Sequence, residues 1–305
     1  MDKLMTITDC KDSKARRWLK AQIPGYFFMM PGFIFVFVFM IYPLFYSLIL
    51  SFCNYNFAFD TTPKFVGLQN YLKMWSDSSF VDAFNNTMFF SVCFFITVMA
   101  IALVIAMILD KRIRGSAFFR TAIFLPVVIP LSLTGIIFQW ILNENYGLFN
   151  FFLSSCGLGF LAKNWLGDSH WAMLSIVGVS IWKYLGLLVV LYLAGLQSIP
   201  KELYEAATVD GASEGQRIRH ITLPCLRESF VICGIWSIIQ SVKVFEQPFI
   251  MTQGGPGTST LVLYQYTWNN AFKFYEMGYA SAIAYVMAAI ILALSLINFR
   301  LSRTQ

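Results

Sequence analysis

The chain has 305 residues, of which 58% are hydrophobic and 12% are charged, and its formal net charge is +6. Soluble globular proteins contain about 45–50% apolar and about 25% charged residues, so this composition excludes an ordinary water-soluble fold. Nucleic-acid binding is also disfavoured, because the basic residues lie in short segments between long apolar blocks, as membrane topology signals do. We predict an all-α integral membrane protein that is surrounded by membrane lipid and has no nucleic acid among its partners.

Six apolar segments are each long enough to cross about 30 Å of hydrocarbon as a helix. The first is too long for the apolar region of a cleaved signal peptide, so we expect it to remain attached. The predicted spans are Phe27–Phe52, Phe89–Leu109, Phe119–Leu142, Trp171–Leu196, Phe230–Met251 and Gly278–Phe299. They divide the chain into an N-terminal cytoplasmic segment (1–26), a first span with its extracytoplasmic loop (27–88), a core transmembrane domain (89–299) and a short cytoplasmic tail (300–305).

The lysine and arginine residues set the predicted orientation. They are concentrated in the N-terminal segment, in the loops after the second and fourth spans and in the tail, whereas the other loops hold few of them. Basic loops remain in the cytoplasm. Both termini are therefore predicted to be cytoplasmic, together with basic residues such as Lys111, Arg112 and Arg114 after the second span.

The segment between the fourth and fifth spans is longer than a connection requires, and its pattern predicts two short helices. Ser198 is the expected N-cap of the first helix, and Gly211 is the expected positive-φ residue that ends it. Ser213 and Gln216 have the spacing of a capping box, which predicts the start of the second helix. Pro224 is expected to close the segment before the fifth span.

This segment resembles a cytoplasmic loop of the type I permeases of binding-protein-dependent ABC importers, which carries E-A-A, then D-G-A, then I-x-L-P. We call residues 198–224 the EAA loop. The matching residues are Glu205, Ala206, Ala207, Asp210, Gly211, Ala212, Ile221, Leu223 and Pro224. The resemblance implies a type I importer transmembrane domain whose loop docks onto an ATPase subunit, with Leu203 to Ile218 as the docking helix. At the position of Ile218 relatives usually carry an aromatic residue, and the alternative interpretation is an amphipathic hairpin lying on the membrane.

Further segments resemble the carbohydrate-uptake branch of these permeases. They are residues 65–71, 146–150, 196–200, 252–257 and 278–281. The resemblance implies that the chain forms, with a second permease, the membrane pathway for a sugar delivered by an extracytoplasmic solute-binding protein. In relatives the exterior turn after the fifth span lies beneath that protein, so the implied contact residues are Gly254, Gly255, Pro256 and Gly257.

The sequence contains no G-x-x-x-x-G-K-[ST] loop for binding ATP phosphates. The resemblance therefore implies that ATP and magnesium bind to a separate ABC ATPase dimer. This chain is expected to be a translocation subunit with no cofactor and no enzymatic activity of its own. No catalytic set of residues and no metal-ligand spacing is recognisable in the sequence.

Charged residues within the predicted spans are the first candidates for substrate contact, because a charge is costly in hydrocarbon unless it is paired or faces a cavity. Lys183 is flanked by Trp182 and Tyr184, and sugar sites favour aromatic rings with polar donors. Lys243 and Glu246 lie three residues apart, so they would share one helical face and form either an ion pair or a substrate contact. The remaining pathway candidates are Gln139 and Gln240.

Three alternative functions remain open at the level of sequence, of which a membrane-bound transferase is weakened by the missing catalytic set. The same machinery could import glycerol phosphate or another small polar solute, whose anionic form would suit Lys183. An ion-coupled secondary carrier is the alternative from a different class. It would require buried carboxylate relays or inverted repeats, and the sequence shows neither.

Overall fold

The computed structural model describes residues 25–111 and 115–303. Nearly all of the predicted N-terminal segment (1–26), Arg112 and Arg114, and the end of the tail lie outside the described residues. In chain order the elements are α1 (Gly25–Ser51), β1 (Cys53–Asn54), β2 (Lys64–Phe65), α2 (Gln69–Ser76), α3 (Ser78–Asp110), α4 (Ser116–Val128), α5 (Leu131–Ile141), α6 (Leu148–Ser155), α7 (Ser169–Gln197), α8 (Lys201–Val209), α9 (Glu214–Arg217), α10 (Leu223–Cys225), α11 (Arg227–Val242), α12 (Glu246–Met251), α13 (Leu263–Trp268) and α14 (Met277–Arg303).

Five helical segments are long and apolar enough to cross a membrane: α1, α3, α7, the pair α11–α12, and α14. They confirm five of the six predicted spans. Helix α3 is longer than predicted, because it begins at Ser78 and not at Phe89. The extra turns follow from a cap, since the Asp77 carboxylate accepts hydrogen bonds from the backbone N–H groups of Ser79 and Phe80.

The third predicted span, Phe119–Leu142, is not one straight helix. The chain bends by 100° between α4 and α5, around Ile129 and Pro130. The break falls there because Pro130 has no N–H to donate and disfavours helical backbone at Ile129, whose φ and ψ are −66° and 132°. The described part of the chain therefore forms five spans and one sharply bent helix pair, where the sequence predicted about six apolar spans.

The main core lies between α3 and α7. One face of α3 carries small side chains four residues apart, Val98, Ala102 and Ala106, and all three are fully buried. Small residues let membrane helices approach closely, and close van der Waals packing holds such helices together in lipid. Helices α4 and α11 pack onto this pair. The α3–α7 pair is thus the frame on which the candidate sites are built.

The chain after α1 is bound to the start of α14 by a small ribbon. Strands β1 and β2 pair antiparallel, with Cys53 opposite Phe65. The Asn70 side-chain amide donates to the carbonyl oxygens of Ser51 and Cys53 at 2.9 and 2.8 Å. The first turn of α14 approaches so closely that a Cβ atom on Gly278 would lie 2.1 Å from the Cys53 carbonyl oxygen. Glycine is therefore required at this contact.

The first span packs along the last. The Tyr285 hydroxyl of α14 donates to the carbonyl oxygen of Leu44 in α1 at 2.5 Å and lies 3.3 Å from the hydroxyl of Ser47. Most of the remaining surface of α1 is exposed and apolar. An apolar face of this size is the surface expected of a helix that contacts lipid.

Candidate functional site

The first helix of the EAA loop begins later than the sequence predicts. Helix α8 has Pro200 as its N-cap, and no side chain caps it. The predicted cap, Ser198, is wrong, because this residue still has helical backbone and its hydroxyl donates to the carbonyl oxygen of Gly195 at 2.7 Å. Pro200 has extended backbone, with ψ of 132°, and sets the start of the helix instead.

The turn after α8 is built as the sequence predicts. Gly211 has a φ of +76°, in the left-handed region that glycine adopts without strain. The N–H of Ala212 donates to the Ala207 carbonyl at 2.9 Å, and the N–H of Gly211 donates to the Thr208 carbonyl at 3.1 Å. These two bonds form a Schellman motif, which satisfies the last carbonyls of the helix. The ending at Gly211 is confirmed.

The second helix of the loop opens with the predicted capping box. The Ser213 hydroxyl accepts from the N–H of Gln216, and the Gln216 side-chain oxygen accepts from the N–H of Ser213 at 2.8 Å. The predicted end at Pro224 is wrong. Helix α9 continues through a π turn into α10, which contains Pro224. The break before the fifth span falls at Leu226.

Helix α8 and its turn form an exposed knob on the EAA loop. The predicted docking residues Leu203, Glu205, Ala206, Asp210 and Gly211 are all exposed, whereas Ala207, Ala212, Ile218 and Leu223 are half-buried. The tip is Val209, which is 89% exposed and which sequence reasoning missed. The sequence does carry a signal for Val209, because it is a β-branched apolar residue in the last turn of an otherwise polar helix.

Several polar contacts hold this knob against the membrane helices. The hydroxyls of Tyr204 and Thr222 lie 2.9 Å apart, which joins α8 to the helical segment that follows it. Lys111, just after α3, forms an ion pair with Glu214 at 2.5 Å. Hydrogen bonding to the Lys111 ammonium lowers the pKa of the Glu214 carboxyl. The EAA loop is therefore attached to the end of α3 through α9, and α8 follows α7 directly in the chain.

A second candidate site is an intramembrane cavity of about 160 Å³. Its lining residues are Phe90, Phe94, Leu131, Tyr184, Gln240, Lys243, Val244, Glu246, Gln247 and Tyr264. It thus brings together four predicted pathway residues, Tyr184, Gln240, Lys243 and Glu246. Sequence reasoning missed two lining residues, Gln247 and Tyr264. Gln247 belongs to α12, just after the break that follows α11, and Tyr264 belongs to α13. Aromatic walls with a few polar groups are typical of small-molecule sites.

The predicted ion pair between Lys243 and Glu246 is wrong. Helix α11 ends at Val242 and α12 begins at Glu246, with Phe245 in non-helical backbone between them. The two side chains therefore do not share one helical face, and the structure forms no salt bridge between them. Both still line the intramembrane cavity, and Lys243 is exposed.

Two other predicted pathway residues lie outside the cavity lining. Gln139 is on an exposed face of α5. Lys183 is only 3% exposed, and its amine donates to the carbonyl oxygens of Pro126 and Val127 at 2.7 and 2.9 Å and to that of Ile129. In this structure the amine of Lys183 is hydrogen-bonded to backbone carbonyl oxygens. Direct contact between Lys183 and the substrate remains a prediction.

The exterior turn after α12 packs against the outer part of α3. The Asn86 side-chain amide donates to the carbonyl oxygens of Thr258 and Leu261 at 2.6 and 3.0 Å, and the Thr258 hydroxyl donates to Asp82 at 2.8 Å. Of the four predicted contact residues, Gly254 is buried, Gly255 and Pro256 are half-buried, and Gly257 is exposed. The exposed residues of this turn are Gln253, Gly257 and Thr258.

A hydrogen-bonded carboxylate at the start of α3 was not predicted. Four donors surround Asp77: the hydroxyls of Tyr266 at 2.5 Å and Tyr279 at 2.8 Å, and the backbone N–H groups of Ser79 and Phe80. Burial raises the pKa of the Asp77 carboxyl, but these hydrogen bonds lower it, so that its pKa lies below the usual value. Asp77 thus joins α3, α13 and α14.

Comparison with known proteins places similarity along nearly the whole chain. The family of binding-protein-dependent transport system inner membrane components matches residues 99–304. A probable ABC transporter permease protein of Bacillus subtilis, YurN, is 37% identical over 93% of this chain and 97% of its own length. The sulfoquinovosyl glycerol transport system permease protein SmoG of Agrobacterium fabrum is 33% identical over 95% and 94%. The arabinooligosaccharides transport system permease protein AraP of Bacillus subtilis is 34% identical over 91% and 88%.

Two solved structures share the fold. A chain of a bacterial ABC transporter involved in the import of the acidic polysaccharide alginate superimposes with a TM-score of 0.82 at 23% identity, covering 96% of this chain and 100% of that chain. A chain of the alginate transporter in complex with a periplasmic protein bound to an alginate pentasaccharide gives a TM-score of 0.81 at 22% identity, covering 94% and 96%. At this level of identity the similarity is one of fold.

Proposed function

Because the chain belongs to the family of binding-protein-dependent transport system inner membrane components, we propose that it forms, with a second permease, the pathway of an ATP-driven importer for a mono- or oligosaccharide. The chain is a multi-pass membrane protein of the ABC permease class. The cargo is inferred from one observation: relatives that match over nine-tenths of this chain serve transport systems for sulfoquinovosyl glycerol and for arabinooligosaccharides. An extracytoplasmic binding protein delivers the sugar.

The knob of the EAA loop is the proposed contact with the ATPase dimer. A Schellman motif ends α8 and a capping box opens α9, so the turn between the two helices is hydrogen-bonded without a partner. Val209 and Leu203 give the knob an exposed apolar surface. A loop fixed in this way can transmit a displacement of the ATPase to α3 and α7, to which it is attached.

The intramembrane cavity is the proposed part of the sugar pathway in this subunit. Tyr184 and Tyr264 supply aromatic faces, and Gln240 and Gln247 supply amide groups that pair with sugar hydroxyls. An anionic solute such as glycerol phosphate is less well supported, because the amine of Lys183 is bound by carbonyl oxygens. A sugar is therefore the favoured cargo.

Co-purification tests the assembly. The chain extracted in mild detergent is expected to bring with it a second permease and an ABC ATPase. A chain that transports fully as a lone homo-oligomer contradicts the proposal. Titration of the purified binding protein with a panel of sugars then identifies the cargo, and binding of glycerol phosphate but no sugar would favour the second candidate.

A variant of the turn tests coupling. Gly211→Pro is expected to leave the complex assembled but to abolish transport-linked ATP hydrolysis, because proline cannot adopt the φ of +76° on which the knob depends. Gly157→Pro is the matched control, since Gly157 has the same φ in an exposed turn outside the EAA loop. Stimulated hydrolysis that survives Gly211→Pro, or that is lost equally in both variants, argues against the docking role.

A further inference from the structure

The bend between α4 and α5 deprives backbone carbonyls of their helical donors inside the membrane. In a continuous helix the N–H of residue 130 would donate to the carbonyl of Pro126, but Pro130 has no N–H. That carbonyl retains only a short-range bond from the N–H of Ile129 at 3.2 Å. The Val127 carbonyl loses its donor because the chain turns by 100° before Leu131. Lipid offers no hydrogen bonds in compensation, so each lost donor is costly.

Lys183 supplies donors at this point. Its ammonium has three N–H groups, and the structure places three acceptors around it, the carbonyl oxygens of Pro126, Val127 and Ile129. The position is also electrostatically favourable, because the C-terminal end of a helix carries partial negative charge and attracts cations. The lysine thus replaces, from a neighbouring helix, the amide hydrogen that Pro130 lacks.

Helices α4 and α7 lie close enough together for the amine of Lys183 to reach the carbonyl groups at the end of α4. Gly186 lies three residues after Lys183, on the same face of α7. A Cβ atom at Gly186 would lie 2.3 Å from the carbonyl oxygen of Ile123 and 2.8 Å from the Cα of Phe124. The backbones of α7 and α4 are therefore in direct contact at Gly186, one turn away from the ammonium.

We propose that Lys183 is a positioning residue that fixes the bend and thereby holds Leu131 in the wall of the intramembrane cavity. Leu131 is the first residue of α5 and lines that cavity. The role of Lys183 in setting the bend is independent of what the protein transports. Its consequence for the pathway rests on the proposed function, since it requires the cavity to be part of the sugar route.

A distance measurement tests the bend directly. Spin labels are placed at the exposed positions Phe118 and Trp140, in the full complex with the six cysteines replaced. The 22 rises between these positions correspond to about 33 Å in a straight helix and to about 20 Å when the helix is bent by 100° at its middle, which leaves about 80° between its two arms. The short distance is expected for Lys183, and Lys183→Met is expected to shift the distribution about 10 Å towards the straight value. An unchanged distribution in Lys183→Met overturns the proposal.

A double-mutant cycle covers the case in which Lys183→Met does not fold. Pro130→Ala restores an amide N–H for the Pro126 carbonyl, so Lys183→Met should lower thermal stability much less in the Pro130→Ala background than in the native background. If Lys183→Met lowers the melting temperature equally in both backgrounds, the proposal is overturned. Lys163→Met is the control, because Lys163 lies over the Trp171 ring in an outer loop, away from the bend.

Sugar transport by the reconstituted complex separates positioning from substrate contact. Lys183→Met is expected to lower the maximal rate at least tenfold with little change in apparent affinity, and Lys183→Arg should retain part of the rate. A raised apparent KM with an unmoved spin-label distance assigns Lys183 to the substrate and overturns the proposal. If the unaltered complex transports no sugar, the proposed function fails, while the distance measurement still tests Lys183.

Discussion

At the scale of the residue, Asp77 concentrates several contacts in one side chain. It caps the longest helix and accepts hydroxyl hydrogen bonds from α13 and α14. Asp77→Asn keeps the cap oxygen but replaces one acceptor by an NH₂ group, so it should lower the free energy of unfolding by about 1–2 kcal/mol. Thermal unfolding of the detergent-solubilised complex measures this. Asp82→Asn is the control, because Asp82 is exposed and accepts one bond from Thr258.

The lowered pKa of Asp77 gives a pH dependence of known sign. A carboxyl whose pKa is lower in the folded state stabilises the protein above its unfolded pKa, which for aspartate is near 3.8. That contribution disappears as the pH falls through the folded pKa. The difference in melting temperature between the native protein and Asp77→Asn should therefore be constant above about pH 5 and narrow below it. A difference that widens on acidification contradicts the assignment.

Residue-level predictions succeeded where the determining contacts are local. Gly211 and the Ser213–Gln216 box depend on neighbours within four residues, and both are confirmed. Lys183 and Asp77 find partners more than 50 and 180 residues away, respectively, in the chain. The sequence therefore reveals that a buried lysine needs a partner but not that the partner is a broken helix end. The candidate cavity could be predicted only in part for the same reason.

At the scale of the element, the capping box makes α9 a defined helix. Ser213→Ala should cost about 1 kcal/mol locally, or about fivefold in the opening equilibrium, because the first N–H groups lose their acceptor. Hydrogen exchange of the amides of residues 214–217 measures the change. Ser198→Ala is the matched control, since this hydroxyl caps no helix and only donates to the Gly195 carbonyl. Equal acceleration in both variants would show that the box contributes nothing.

The bent pair α4–α5 shows what a hydropathy pattern leaves out. Apolar length predicts that a segment enters the membrane but does not give its direction, and residues 119–142 are apolar on both sides of Pro130. Pro126 and Pro130 indicate a bend. A bend of 100° also needs a partner that donates hydrogen bonds to the carbonyl groups at the broken helix end. That partner, Lys183, belongs to another helix. Four of the other spans, α1, α3, α7 and α14, were predictable because each is one helix that satisfies its own backbone.

At the scale of the whole molecule, the topology can be tested with single cysteines. The span Arg227–Met251 separates the EAA loop from the exterior turn. A membrane-impermeant maleimide added to intact spheroplasts should label Thr258→Cys and not Ser213→Cys, whereas both should react after lysis. Both positions are exposed. Labelling of Ser213→Cys in intact cells contradicts the predicted cytoplasmic EAA loop.

The contact between the first and last spans has a consequence for biosynthesis. Leu44 and Tyr285, which join α1 to α14, are 241 residues apart. At a translation rate of about 5–20 residues per second, the first span is complete about 10–50 seconds before its partner exists. During that time the part of α1 around Leu44 faces lipid or the insertion machinery in place of α14. The first helix must therefore enter the membrane on its own hydrophobicity, and it reaches its final place only when the last helix has been made.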